Sequence, residues 1–189
     1  QLFDDVILAC HSDQSASIVK TDFPSLHAQL KNIRYRPNDI YVHRDPALMP
    51  KRRAAWASWN VIKQDGDDIC LTYWMNLLQD IDKDYPVFVT LNPINPPKPE
   101  LTFNRFEFAH PQFDGPAARA VSDVKSMQGQ NGLWFAGAWL GSGFHEDGLK
   151  SGLSVALALG GNIPWHPVGL ETYYSLEHRA TPQPADIIA

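Results

Sequence analysis

The residues of this sequence best suited to chemistry lie in one stretch, "GLWFAGAWLGSGFHEDGLKSG", at 132–152. It begins like a buried strand, passes through several glycines and continues as an apolar helix. Glycines let a ligand approach the backbone, and the free amides and dipole of a helix start favour an anionic or electron-rich group. The spacing matches neither GxGxxG nor a Walker loop. It therefore indicates either a ligand site or a βα unit whose glycines serve only tight packing.

Two neighbouring polar residues in this stretch, His145 and Glu146, are candidates for moving a proton. An imidazole titrates in the range useful for acid–base catalysis, and a nearby carboxylate can share the proton. The alternative role of His145 is structural, as a helix cap or a hydrogen-bond partner of a carbonyl group. The residue types alone leave both roles open.

Other reactive side chains have simpler structural interpretations. Cys10 and His11 are adjacent, but a buried cysteine beside a loop histidine is expected more often than a Cys–His nucleophile. The basic run "KRR" at 51–53 precedes two tryptophans, which fits either a site for a carboxylate or lipid head group or a solvated face. The histidines show no HExxH or comparable spacing, so no metal site is expected.

The elements that would position the glycine-rich stretch follow from its flanks. A strand is expected to end at Gly137 or Ala138, where the apolar run gives way to glycine. A helix is expected to begin near Glu146 or Asp147 and to continue to Leu159, with the next two glycines as its stop. The predicted order is strand, glycine turn and helix.

The two ends of the chain are expected to share a sheet. The run "DDVILAC" at 4–10 is typical of a parallel strand buried on both faces, and 132–138 has the same character. Between them, short alternating runs and a hairpin signal at Asp65–Gly66 predict an antiparallel insert of roughly 90 residues. The fold class predicted is α/β, and the sequence also predicts three helices: after Ser12 or Asp13, over 23–33 and over 115–129.

The composition describes a packed globular protein. The chain has 189 residues, of which 44% are apolar, and a formal net charge of −5, which gives no basic surface for nucleic acid. No apolar run reaches the roughly 20 residues of a spanning helix. Its two cysteines, Cys10 and Cys70, have no CxxC partner, so a reduced, cytoplasmic setting is expected.

Three long strings carry a resemblance to a known family: "WFAGAWLGSGFHEDG", "DPALMPKRRAAWASWN" at 45–60 and "LTYWMNLLQ" at 71–79. Together with "GLKSG" at 148–152, they resemble the C-terminal flavin-binding segment of the flavin-containing amine oxidase superfamily. The closer similarity is to a subgroup of predicted NAD/FAD-binding oxidoreductases. The resemblance covers about residues 2 to 167.

The resemblance implies an FAD-binding, Rossmann-like domain with an inserted substrate lobe. Segments 1–20 and 130–165 would form the C-terminal part of that domain, 21–129 the α+β insert and 166–189 a tail. The cofactor contacts it implies are Gly137, Ala138, Gly141, Gly143, Asp147, Gly148 and Leu149. Where the superfamily often has an acid after its small-residue pair, this chain has Ala138, which leaves the ribityl or pyrophosphate contact to Glu146 or Asp147.

The function implied is FAD-dependent removal of hydride from an organic substrate, with His145 and Glu146 as the catalytic candidates. The aromatic insert favours an apolar, lipid-like substrate, and with it a place at a membrane surface. Because the family's GxGxxG unit is absent and the chain opens directly on a strand, the sequence is expected to be the C-terminal part of something longer. The alternative is a non-catalytic fragment or split subunit that needs an N-terminal nucleotide-binding partner.

Overall fold

The computed structural model describes residues 2–63 and 69–163. Its strands are β1 Val6–Leu8, β2 Tyr35–His43, β3 Trp59–Lys63, β4 Ile69–Trp74, β5 Phe88–Leu91, β6 Thr102–Pro111 and β7 Leu133–Phe135. Its helices are α1 Ser12–Val19, α2 Pro24–Leu30, α3 Met75–Leu78, α4 Gly115–Ser126 and α5 His145–Ala158. The chain divides into two compact units, the first formed by Gln1–Arg34 with Pro111–Ala189 and the second by Tyr35–His110. The predicted Asp65–Gly66 turn and the 166–189 tail lie outside the described residues.

The first unit contains a parallel pair of strands from distant parts of the chain. β1 pairs with β7 so that Val6, Ile7 and Leu8 lie beside Leu133, Trp134 and Phe135. This confirms that the two ends share a sheet. The prediction that β1 is buried on both faces was wrong, because no further strand of residues 2–63 and 69–163 joins the pair and Val6 and Ile7 remain 40% and 49% exposed. The Rossmann-like FAD domain itself stays a prediction.

The boundaries of the insert differ from the predicted 21–129. The second unit spans 35–110, and both α2 and α4 belong to the first unit. The physical reason is apolar packing: α2 contacts α1 and α4, and it buries Leu26 and Leu30 while α4 buries Val124. A small cavity lined by Leu26 and Phe135, among others, places α2 beside β7.

The helix starts follow the predicted signals within a residue, whereas α2 and α4 each end three residues before the predicted 33 and 129. His11, rather than Ser12 or Asp13, is the N-cap of α1, since the buried Ser12 already lies in the first turn. In α4, Asp114 caps the first turn by accepting from the Ala117 amide at 3.0 Å. Gly129 follows α4 with a φ of 77°, the left-handed conformation expected at a helix stop.

The second unit is built on a five-stranded sheet of order β3-β4-β5-β2-β6, in which the β3–β4, β4–β5 and β5–β2 pairs are antiparallel. The antiparallel character of the insert is therefore confirmed. The predicted change from strand to helix within "DICLTYWMNLLQDI" is also present, since β4 ends at Trp74 and α3 begins at Met75. The two faces of the sheet differ, and we call them the covered face and the open face.

The covered face carries the core of the second unit. The side chains of His43, Phe88 and Thr90 on this face are fully buried. The segment 44–58 lies over them, and its Trp56 ring meets the Phe88 ring edge-on with the centroids 5.5 Å apart. This segment is what closes one side of the sheet.

A directed chain of hydrogen bonds crosses the covered face. The Leu48 carbonyl oxygen accepts from the Thr72 hydroxyl at 3.3 Å, and the Thr72 and Thr90 hydroxyl oxygens lie 2.8 Å apart. Since Thr72 already donates, Thr90 donates to Thr72 and accepts from His43 Nε2 at 2.7 Å. The Asp45 amide donates to His43 Nδ1 at 3.1 Å, so His43 is neutral with its proton on Nε2. Burial lowers the pKa of His43 to about 4.

His43 should make the stability of the second unit depend on pH below neutrality. The unfolded chain binds a proton at His43 below pH 6.5, whereas the folded chain does not until about pH 4, so stability falls as the pH drops between these values. Each pH unit in that window costs about 1.4 kcal/mol, and no loss from this group is expected above it.

His43→Gln removes the titrating group, so the difference in unfolding free energy between wild type and variant should shrink by about 2 kcal/mol from pH 7 to pH 5. Urea unfolding followed by tryptophan fluorescence at several pH values measures it. Subtracting the variant's curve cancels the contributions of the carboxylates that both proteins share. A difference that stays constant over this range would contradict the assignment.

Candidate functional site

The glycine-rich loop connects β7 to α5 and differs from the predicted form at both ends. The strand ends at Phe135, not at Gly137 or Ala138, and α5 begins at His145, one residue before the predicted start. The strand stops early because the Gly137 amide donates to the Ser151 hydroxyl oxygen at 2.8 Å instead of continuing the ladder. The loop therefore runs over 136–144.

Ser151 fastens the loop to the second turn of α5. Its hydroxyl accepts from Gly137 and lies 2.8 Å from the Gly148 carbonyl oxygen, to which it donates. A Cβ added to Gly148 would lie 3.8 Å from the Ala138 amide nitrogen, an ordinary contact. The structure thus brings Gly137, Ala138 and Gly148 together, and their role as cofactor contacts stays a prediction. Sequence reasoning gave Ser151 no role, although its place within "GLKSG" was visible.

Asp147 closes the rest of the loop. Its Oδ2 accepts from the Ser142 amide and from the Phe144 amide, each at 3.0 Å. A side chain at Gly141 would overlap this carboxylate, which explains the glycine. Gly143 has a φ of 89°, where L side chains are strained. Asp147 is therefore a structural member of the loop through its Oδ2 atom, and its ribityl or pyrophosphate contact stays a prediction.

The remaining predicted residues lie on the outside of the α5 start. His145 and Glu146 are exposed, and the Leu149 side chain is 45% exposed. The Glu146 carboxylate lies 3.9 Å from Lys150 Nζ. Consecutive side chains leave a helix about 100° apart, so His145 and Glu146 point in different directions rather than at one shared proton. Their catalytic roles stay predictions.

The first backbone amides of α5 have no acceptor within the helix. The Asp147 and Gly148 amides make the earliest helical bonds, donating to the Phe144 carbonyl oxygen at 3.0 and 3.2 Å. The preceding amides, those of His145 and Glu146, cannot have partners inside the helix. Together with the positive end of the helix dipole, they can bind an anionic or electron-rich group.

Cys10 and, within the basic run, Arg53 have structural partners. Cys10 Sγ lies 3.3 Å from Ser15 Oγ, and the Cys10 carbonyl oxygen accepts from Trp139 Nε1 at 3.1 Å, which ties the loop to the end of β1. Cys10 and Cys70 are both free. In the second unit, the Arg53 guanidinium stacks 4.2 Å from the centre of the Trp56 ring. These contacts favour the structural interpretations.

The larger of the two best-formed cavities in the described residues does not mark the glycine loop. It has a volume of about 220 Å³ and lies at the amino ends of β1 and β7, where Phe3, Val6 and Gly132 help to line it. The loop is at the opposite, carboxyl ends of these strands. Within 2–63 and 69–163, no cluster of three or more potential ligands could hold a metal ion, and no helix has the length and apolarity needed to cross a bilayer.

Comparison with known proteins adds no assignment. No protein-family model matches the sequence, and no curated protein matches it. The resemblance to the flavin-containing amine oxidase superfamily therefore rests on the quoted strings and stays a prediction.

Asp147→Ala should destabilise the first unit by about 1 kcal/mol, because two loop amides lose their acceptor at a helix start. Glu146→Ala is the matched control: it removes a carboxylate from the same helical turn but breaks only an exposed ion pair, and it should cost less than about 0.5 kcal/mol. Urea unfolding of both variants tests this. Equal losses would show that charge, rather than the loop bonds, sets the effect.

Proposed function

We propose that this chain is the ring-facing, C-terminal part of an FAD-dependent oxidoreductase that removes hydride from an organic substrate. The observation that carries the proposal is the unit formed by β7, the glycine loop and α5, in which small residues and uncommitted amides meet at one point. β7 pairs in parallel with β1, although the residues of the separate antiparallel unit lie between them in sequence. Ligands of open α/β sheets bind at the carboxyl ends of the strands, where this loop lies.

The residues present fit the electron-rich edge of a flat ring. A Cβ added to Gly152 would meet no atom within 4 Å, so neither packing nor backbone conformation within the described residues requires glycine there. One turn away, Gly148 also lacks a side chain, and a Cβ there would lie 3.8 Å from the Ala138 amide nitrogen. The amides of His145 and Glu146 would face the ring edge, while Gly137 and Ala138 would lie beside it. When bound, FAD supplies the acceptor for the hydride.

The protein residues have two tasks in this proposal. The positive end of α5 stabilises the electron-rich edge of the bound ring, and it does so without reorganisation because Asp147 and Ser151 fix the loop. His145, which is exposed at the helix start, exchanges a proton between substrate and solvent. Glu146 would assist it through its negative charge and not by sharing the proton, because its carboxylate points away from His145 and lies 3.9 Å from Lys150 Nζ.

The nucleotide half of FAD needs a partner segment in this proposal. Val6 and Ile7 are partly exposed although parallel strands are usually covered on both faces. A further strand–GxGxxG–helix unit, in the same polypeptide or in a second subunit, would cover them and bind the ADP moiety. The substrate proposed is an apolar small molecule, which fits a cytoplasmic enzyme working at a membrane surface.

Gly152→Leu should separate folding from cofactor binding. Because a Cβ at Gly152 meets no atom within 4 Å, replacement of this mid-helix glycine should raise the unfolding free energy of the 189-residue chain by up to about 1 kcal/mol. In a polypeptide that also contains the nucleotide-binding unit, the same change should abolish bound flavin absorbance at about 450 nm. Ser154→Leu, on another side of α5, is the control and should leave the absorbance intact. A stable Gly152→Leu variant that keeps its flavin would overturn the site.

The 189-residue chain by itself should bind FAD weakly, since it offers contacts to only one end of the cofactor. We expect a dissociation constant weaker than about 100 µM, because roughly half of the contacts that give tight binding are lacking. Quenching of flavin fluorescence on titration measures it. Micromolar or tighter binding would show that no nucleotide-binding partner is required.

A further inference from the structure

The open face of the second unit's sheet is apolar throughout its centre. The strand registers align two rows across β3, β4, β5 and β2: the first is Trp59, Tyr73, Val89 and Val42, and the second is Val61, Leu71, Leu91 and Ile40. The edge strand β6 continues the face. Its Arg105 pairs with Asp39 on the covered side, so the alternate residues Phe106 and Phe108 lie on the open side, where their rings stack 5.5 Å apart.

The two edge strands of this face are exposed in the single chain, whereas most of its central residues are half-buried and Ile40 is buried. Trp59 is 52% exposed, Val61 62%, Phe106 38% and Phe108 53%. An antiparallel sheet with one face in water normally carries polar residues on that face. Here the charged side chains occur at the rim, with Lys63 at the end of β3. An apolar centre with a polar rim is the anatomy of a protein interface.

We infer that the open face is a homodimer interface, in which two copies of this chain pack sheet against sheet. Five strands at about 4.8 Å spacing make the face about 24 Å wide, and the six residues of β4 make it about 20 Å long. That is a footprint of about 500 Å² on each copy and about 1,000 Å² in total before side-chain relief is counted, which reaches the size of a specific interface.

The shape of the face favours a second copy over a small ligand. Small-molecule sites are concave, and the two best-formed cavities of the described residues are both lined by first-unit residues. A broad apolar sheet can instead bury itself against an identical one, about 10 Å away, with the strands of the two sheets about 30° apart. Around a two-fold axis, the same two rows of residues of each copy then form the contact.

Val61→Glu tests the interface. Val61 is exposed in the single chain, so a carboxylate there is solvated in the monomer but buried without a partner in the dimer. Ile18→Glu is the matched control, because it also places glutamate at an exposed β-branched position, 60% exposed in α1 of the first unit. Sedimentation velocity over a roughly thousandfold concentration range measures the association of all three proteins.

The wild type and Ile18→Glu should sediment as species of twice the 21.2 kDa chain mass, and Val61→Glu should lose dimer affinity by more than about hundredfold. Should Val61→Glu fail to fold by circular dichroism, Phe108→Glu at the opposite edge of the face replaces it with the same expected outcome. A wild type that stays monomeric over the whole range overturns the inference. A folded Val61→Glu or Phe108→Glu variant that still dimerises overturns it as well.

Discussion

The junction between β7 and α5 depends on satisfying backbone groups that neither element can satisfy alone. A strand that ends and a helix that begins within nine residues leave amides without ladder or helical partners. Two side chains of α5 take three of them: Ser151 accepts from Gly137, and Asp147 accepts from Ser142 and Phe144. The helix thereby fixes the loop that precedes it, and its own first amides are left to face outwards.

Rigidity of this kind is what a site needs if it is to stabilise charge in a bound ring. Donors held in place by packing do not have to reorganise when a ligand arrives. The same bonds commit the Oδ2 atom of Asp147 to the loop. The core of the second unit is fixed in a comparable way, by the hydrogen-bond chain from Asp45 through His43 to Leu48. These directional bonds add to the apolar burial of the same core.

Each unit also has an apolar surface that it does not cover itself. In the first unit this is the short parallel pair, with Val6 and Ile7 partly exposed, and in the second it is the open face. The two differ in kind. A parallel pair extends through further strands and their hydrogen bonds, whereas the open face already has its strands and lacks only a layer packed on top of it. For this reason we propose a nucleotide-binding partner for the first surface and another copy of the chain for the second.

The sequence by itself determined the order and type of the main elements, the pairing of the chain ends and the glycine turn before α5, because periodicity, prolines and glycines act locally. Only the tertiary structure decided where each unit ends, since α2 and α4 join the first unit through packing partners far away in sequence. It also assigned Asp147 and Ser151 to the loop and separated His145 from Glu146. Hydrogen bonds between residues five and fourteen positions apart depend on where the backbone places both groups, and residue type alone does not specify that.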